Sequence, residues 1–127
     1  MQYKKALILF AHGARAASWK QPFERLQALS QEKLSDTTVK LAFLELMEPS
    51  LPDVVAALVQ SGCEQIHVVP VFLGQGAHVL RDLPLLIEEL TVKYPQVSLE
   101  VSQAVGENPV VLDAIASYCV STIHHAA

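Results

Sequence analysis

The sequence predicts a four-stranded parallel α/β sheet of order 2-1-3-4, the flavodoxin-like three-layer sandwich, and three observations carry that reading. Four strand-like apolar runs alternate with four helix-like segments along the chain, a pattern that implies right-handed crossovers and a parallel sheet. The first and third runs, Ala6–Ala11 and Ile66–Leu73, are almost continuously apolar, as strands buried on both faces are. The second and fourth, Val39–Glu45 and Val97–Ser102, partly alternate apolar with polar residues, as edge strands do. Two inner strands, first and third in sequence, flanked by the second and fourth, place the topological switch point between strands 1 and 3.

The helices between these runs carry their own signals. A first helix around Pro22–Leu34 turns Phe23, Leu26 and Leu29 toward the sheet. Ser50-Leu51-Pro52-Asp53 resembles a capping box, followed by apolar Val54, Val55, Leu58 and Val59 and by Gly62 as a stop. Asp82-Leu83-Pro84 and Asn108-Pro109 each pair a cap residue with an early proline and so predict two further helix starts. Pro70 falls inside the third strand, where it has no N–H for the ladder, so a bulge or an unpaired position is expected there. With no repeat, linker or low-complexity segment, residues 1–127 read as a single domain.

Composition narrows the function classes. With 51% apolar and 17% charged residues the chain has the material for a core, and a domain of this size buries roughly two thirds of its unfolded surface. The longest apolar stretches fall far short of the ~20 residues needed to span a bilayer, so no membrane partner is expected. Met1-Gln2-Tyr3-Lys4-Lys5 leads into an apolar run too brief for a signal peptide, which places the protein in the cytoplasm. Cys63 and Cys119 form no C-x-x-C pair and read as buried structural thiols. The formal net charge is −4 and the basic residues are scattered, so nucleic acid is not an expected partner.

The residues that can carry chemistry cluster where the sheet predicts a site. His12, in Phe10-Ala11-His12-Gly13-Ala14-Arg15, and His78, in Leu73-Gly74-Gln75-Gly76-Ala77-His78-Val79-Leu80-Arg81, each follow one of the two inner strands, with an arginine three positions later. Ligands collect at the carboxyl ends of strands at a switch point, so the two histidines are candidates for a shared metal or proton-transfer site. Gly13 lets the backbone turn sharply or approach a ligand, and the glycine-bearing loop before His78 suits a flat ligand. Taken singly, His12 is equally well read as bonding its own loop backbone, and His78 as part of an ordinary solvent-exposed loop. Their joint position beside the switch point favours the site.

Glu45 and Glu48 end the second strand next to the same rim and can complete a metal shell or hold a substrate proton. Glu48 is equally well explained as an acid near a helix N-terminus. Arg15 and Arg81 can pair with substrate carboxylates through forked hydrogen bonds, although solvated arginines are common. His67, inside an inner strand, reads as a satisfied core or interface residue. His124 and His125 lie near the carboxyl end, where fraying is usual.

Together LILFAHGAR, FLELMEPSLPD and VVPVFLGQGAHVLRDLP resemble the short CbiX-type sirohydrochlorin chelatases, class II chelatases of cobalamin and sirohaem biosynthesis. The resemblance runs in motif from about Ala6 to Pro84 and covers the remainder in layout. It implies that His12 is proton acceptor and metal ligand and that His78 is the second histidine ligand. It also implies that Glu48 and the loop residues Leu73, Gly74, Gln75, Gly76, Ala77 and His78 contact the tetrapyrrole. Glu45, Arg15 and Arg81 are secondary additions.

One departure is visible: the family usually has serine after the His-Gly pair, where this chain has Ala14. The implied reaction is insertion of a divalent metal, cobalt first with iron or nickel as alternatives, the metal being substrate and no organic cofactor taking part. Insertion removes two pyrrole N–H protons, and histidine supplies a base partly neutral near pH 7. Two imidazoles and a carboxylate leave coordination positions open, unlike a closed cysteine cage, and affinity alone does not choose among such metals. A homodimer is expected, because one small module offers a shallow cleft for a wide macrocycle. A tetrapyrrole or metal carrier, and a flavodoxin-like interaction module, remain the competing readings.

Overall fold

The computed structural model describes residues 4–74 and 76–125, the side chains of residues 77, 78 and 125 excepted. Four parallel strands, β1 (Lys5–Ala11), β2 (Thr37–Phe43), β3 (Gln65–Pro70) and β4 (Ser98–Val101), form one sheet in the order β2-β1-β3-β4. They alternate with α1 (Lys20–Glu32), α2 (Leu51–Gln60), α3 (Ala77–Lys93) and α4 (Pro109–His125), with short 3-10 turns at Ala17–Trp19 and Val105–Glu107. This is the predicted 2-1-3-4 doubly wound layout.

Register divides the sheet into two faces, because partners across a ladder point the same way. On one face Ala6, Ile8, Phe10, Ala42, Ile66 and Val68 pack against Leu51, Val54, Val55 and Leu58 of α2 and Val79, Leu83 and Leu90 of α3 to form the core cluster. On the other, Leu9, Val39 and Phe43 are buried where α1 crosses β2 and β1. Gln27 and Gln31 of α1 fasten that helix to the β2 backbone through bonds to Val39 and Thr37.

Local signals explain most boundaries. The Ser50 hydroxyl accepts from the Asp53 N–H at 3.3 Å, so Ser50 is the N-cap of α2, and Gly62 stops α2 at φ +96°. The Asn108 side chain accepts from the N–H of Val110 and Val111, which caps α4 as expected. Pro70 is the last residue of β3, in register with Phe10, and needs no bulge. The N–H of the next residue, Val71, donates toward β1 at Phe10 O, so by alternation Pro70 would donate toward β4, whose ladder has already ended at Val68–Val101. The third strand therefore stops before Val71, and Val71 to Leu73 continue as an irregular segment.

Four expectations are corrected. The third helix starts at Ala77 with Gly76 as N-cap, and Pro84 lies inside it rather than at its first turn. Pro84 is exposed, so the Leu80 carbonyl that its missing N–H leaves free faces water. Leu29 is exposed rather than inward, while Phe23 and Leu26 are half-buried. Cys119 is exposed and only Cys63 is buried. His67 is half-exposed, its Nδ1 lying 3.7 Å from Glu100 Oε2 rather than in a core.

Candidate metal and tetrapyrrole site

The carboxyl ends of β1 and β3 lie side by side, and everything the site needs grows from that adjacency. Phe10 pairs with Pro70 across the ladder. Two residues beyond each, the His12 ring stacks on Phe72 with centroids 4.2 Å apart and planes inclined by 32°. Phe72 is itself 3% exposed and packs on Phe10 at 5.9 Å. One imidazole face is thus fixed by a buried aromatic ring, while His12 stays only half-buried.

Neighbouring loops are laced to this strand end. Leu44 N donates to Ala11 O at 2.8 Å and Glu45 N to His12 O at 3.1 Å, which carries the β2–α2 loop onto the histidine's own backbone. Gly13 makes the approach possible: it sits at φ +92°, and a Cβ there would overlap the Glu45 carbonyl oxygen. A second close approach lies across the rim. Gly106 N donates to Phe72 O at 2.9 Å, and a Cβ on Gly106 would overlap the Leu73 carbonyl. Gly74 has open space around it, so packing does not demand glycine at that position.

Glu45 and Glu48 are exposed on the β2–α2 loop, and Arg15 is exposed just beyond Gly13. Arg81 is exposed and donates from Nε to Asp82 Oδ1 at 3.1 Å; exposed pairs of this kind contribute only about 0–1 kcal/mol, so a bound carboxylate can compete for the guanidinium. His78 is the second residue of α3, at its N-terminal turn. Its side chain and that of Ala77 lie outside the description, as does Gln75. Among the described residues no three His, Cys, Asp or Glu side chains converge on one point. Leu73, Gly74 and Gly76 are exposed along the loop that leads into α3.

Sequence reasoning missed three contributors. Phe72 reads in sequence as one more strand residue, yet it is the wall behind His12. Leu46 and Trp19 are exposed apolar side chains on the β2–α2 and β1–α1 connections, so with Leu73 they put apolar surface on all three of these rim loops. Only the single tryptophan of the chain offered a signal.

Fold and rim together define a doubly wound α/β module with His12 standing at the carboxyl end of an inner strand, beside the topological switch point. The chain belongs to the CbiX family, whose model matches residues 6–121. A sirohydrochlorin cobaltochelatase of Methanopyrus kandleri is 37% identical over 82 residues, which make up 65% of this chain and 57% of that protein. A chloroplastic sirohydrochlorin ferrochelatase of Arabidopsis thaliana is 28% identical over 120 residues, or 92% of this chain and 53% of that one. The chain therefore spans less than two thirds of either relative.

Among solved structures, one named as a cobalamin (vitamin B12) biosynthesis CbiX protein, from Marinobacter aquaeolei, superposes with a TM-score of 0.83 at 33% identity. That alignment covers 94% of this chain and 98% of the other. The sirohydrochlorin chelatase SirB of Bacillus subtilis, solved with cobalt, gives a TM-score of 0.78 at 26% identity over 93% of this chain and 50% of that one.

Proposed function

We propose that the protein inserts a divalent metal ion into sirohydrochlorin in the cytoplasm, as a lyase-class chelatase with the metal as substrate. The observation that carries this reading is the His12 ring, held on Phe72 at 4.2 Å at the end of the central strand, with one face fixed and the residue still half-exposed. Family membership and the names of the relatives support the substrate class.

In this reading His12 does two things in turn. As a neutral imidazole it binds the incoming ion, and it accepts a proton from a pyrrole nitrogen as that nitrogen takes over the metal. Two protons leave for each divalent ion inserted, so charge balances, and the half-exposed ring returns its proton to solvent. His78, at the N-terminal turn of α3, serves as second imidazole ligand. Glu48 and residues 73–78 line the macrocycle, with Glu45 beside them. Arg15 and Arg81 receive its peripheral carboxylates through charge-assisted hydrogen bonds. Cobalt is the first choice of metal, as in the names of the archaeal relatives, with iron and nickel chemically admissible.

The same reading takes two copies of the chain. The rim carries exposed Leu46, Leu73 and Leu80, and the wide, flat ring of the macrocycle needs a second wall over such a surface.

The test follows absorbance with sirohydrochlorin in excess of enzyme and with cobalt added. Many turnovers per chain are expected, with His12→Ala lowering the rate by about 10²–10⁴-fold and His78→Ala weakening cobalt binding. Conversion that stops at one equivalent per chain would mean a carrier, and full activity in both variants would misplace the site.

A further inference from the structure

A tight turn at the rim falls on a residue ill suited to it. Leu46 stands at φ +64°, and among the described residues it is the one non-glycine in the left-handed region. A side chain bears a steric cost there that glycine escapes and asparagine tolerates. The reversal itself is required. Glu45 is drawn over Gly13 by its N–H bond to His12 O, while Phe43 N donates back to Pro49 O at 2.9 Å, so the chain must double back between those two anchors. Glycine or asparagine would make that reversal at lower cost, so a leucine here is explained by its side chain and not by its backbone.

The fold does not use that side chain. Leu44, two residues earlier, packs against the core cluster; among the described residues Leu46 does not, and it is 59% exposed. Backbone strain of this kind persists where a ligand or a switch uses it. Position says what the leucine meets. The strand order is β2-β1-β3, so His12, just past β1, is flanked on one side by the loop from β2 with Leu46 and on the other by the loop from β3 with exposed Leu73. Neighbouring strands lie about 4.8 Å apart, which sets β2 and β3 about 10 Å apart with β1 between them. A metal enters a tetrapyrrole through its face, along the ring normal, because the nitrogens surround the centre in the ring plane. For His12 to pass on the ion and take the pyrrole proton, the macrocycle must lie face-down over the imidazole. Its carboxylates occupy the periphery and leave the face as the apolar part, so apolar groups on either side of His12 are where that face rests.

We propose that Leu46 is a macrocycle contact, strained into the left-handed region on the β2–α2 loop so that it supports the tetrapyrrole face on the β2 side of His12, opposite Leu73. The inference rests on the chelatase reading above and adds to it a residue that recognises the flat ring and not the metal ion. Leu46 governs how tightly the macrocycle is held and leaves the chemistry at His12 alone, because the bonds that fasten this loop to the end of β1 come from Leu44 and Glu45.

Three variants of the full chain test this: Leu46→Gly, Leu46→Asn and Leu46→Met. Each is measured for cobalt insertion with sirohydrochlorin varied, for cobalt binding without macrocycle by calorimetry, and for urea unfolding. Leu46→Gly and Leu46→Asn both accept positive φ and are expected to unfold at or above the parent's urea midpoint. Their KM for sirohydrochlorin rises about tenfold, the loss that follows when one apolar side chain leaves a ligand pocket, while kcat and cobalt affinity stay at the parent's values. Leu46→Met keeps the apolar surface and the parent's KM. An unchanged KM in both the glycine and asparagine variants overturns the contact. So does a fall in kcat or in cobalt affinity alongside the rise in KM, since the turn would then act through His12. A lowered urea midpoint in Leu46→Asn assigns the leucine to the fold and overturns the contact as well. A parent chain that neither binds nor metallates sirohydrochlorin overturns the chelatase reading, and the contact with it.

Discussion

Gly13→Ala is the substitution for which the structure gives the sharpest expectation. At φ +92° an alanine bears the left-handed cost of about 1–2 kcal/mol that L-residues carry there. Its Cβ would overlap the Glu45 carbonyl oxygen, so the β2–α2 loop must withdraw, and the Glu45 N to His12 O bond goes with it, a further loss of about 1 kcal/mol. Together these predict about 2–3 kcal/mol, which at a urea slope of about 1–3 kcal/mol per molar lowers the unfolding midpoint by about 0.7–3 M. Activity should fall further than the unfolded fraction explains, because moving His12 by about 1 Å can cost about 10²-fold. The control for stability is Gly74→Ala, whose Cβ meets nothing. The assay is urea unfolding followed by circular dichroism, beside the cobalt insertion rate. A Gly13→Ala protein with its midpoint within about 0.3 M of the parent and an unchanged rate would refute the reasoning.

Three further outcomes follow from the same geometry. Phe72→Ala should cost about 3–5 kcal/mol as a buried aromatic, whereas Phe72→Leu should recover most of that stability but not cobalt affinity, because the His12 ring loses its stacked face; titration calorimetry separates the two. Gly106→Ala must displace the Leu73 carbonyl and should cost about 1–3 kcal/mol as overpacking, with KM for the tetrapyrrole rising more than kcat falls in steady-state assays. Burial pushes the Cys63 thiol above its ordinary value. The unfolded chain therefore loses that proton first, so stability is whole below about pH 9 and declines as pH rises toward the folded value; Cys63→Ala should flatten that decline in thermal melts taken across the alkaline range.

Much of the fold was legible because the sheet obeys two simple rules. Continuous apolar runs marked β1 and β3 as inner strands, and alternation marked β2 and β4 as edges, which fixes the order once crossovers are right-handed. Boundaries were less legible. Val71, Phe72 and Leu73 extend the apolar run of β3 but belong to the irregular segment after it, and apolarity cannot tell a strand from a packed loop. The third helix misled for a related reason. Asp82-Leu83-Pro84 has the composition of a helix start, but a proline on the solvent side of an interior turn leaves the Leu80 carbonyl to water, so α3 runs on from Gly76.

The site shows where the reach of sequence ends. His12 was legible because it follows an inner strand at the switch point, a position that topology alone makes special. What holds it was not. Gly13, Gly74 and Gly106 are the same letter, yet two of them are close approaches of one loop to another and the third borders open space. The difference lies in which backbone happens to face the missing Cβ, and that is a long-range fact. Glu45 comes over Gly13 only because β2 runs beside β1, and Leu73 comes over Gly106 only because the chain returns past the end of β3 after β4. The two contacts make the β1, β2 and β3 loops and the 3-10 turn before α4 one mechanical unit around the His12 ring. Gly74 is left as the point where the rim can adapt to a bound ligand without disturbing that unit. A ligand-recognition effect at Gly74 with no stability change, set against coupled losses at Gly13 and Gly106, is the pattern this linkage demands.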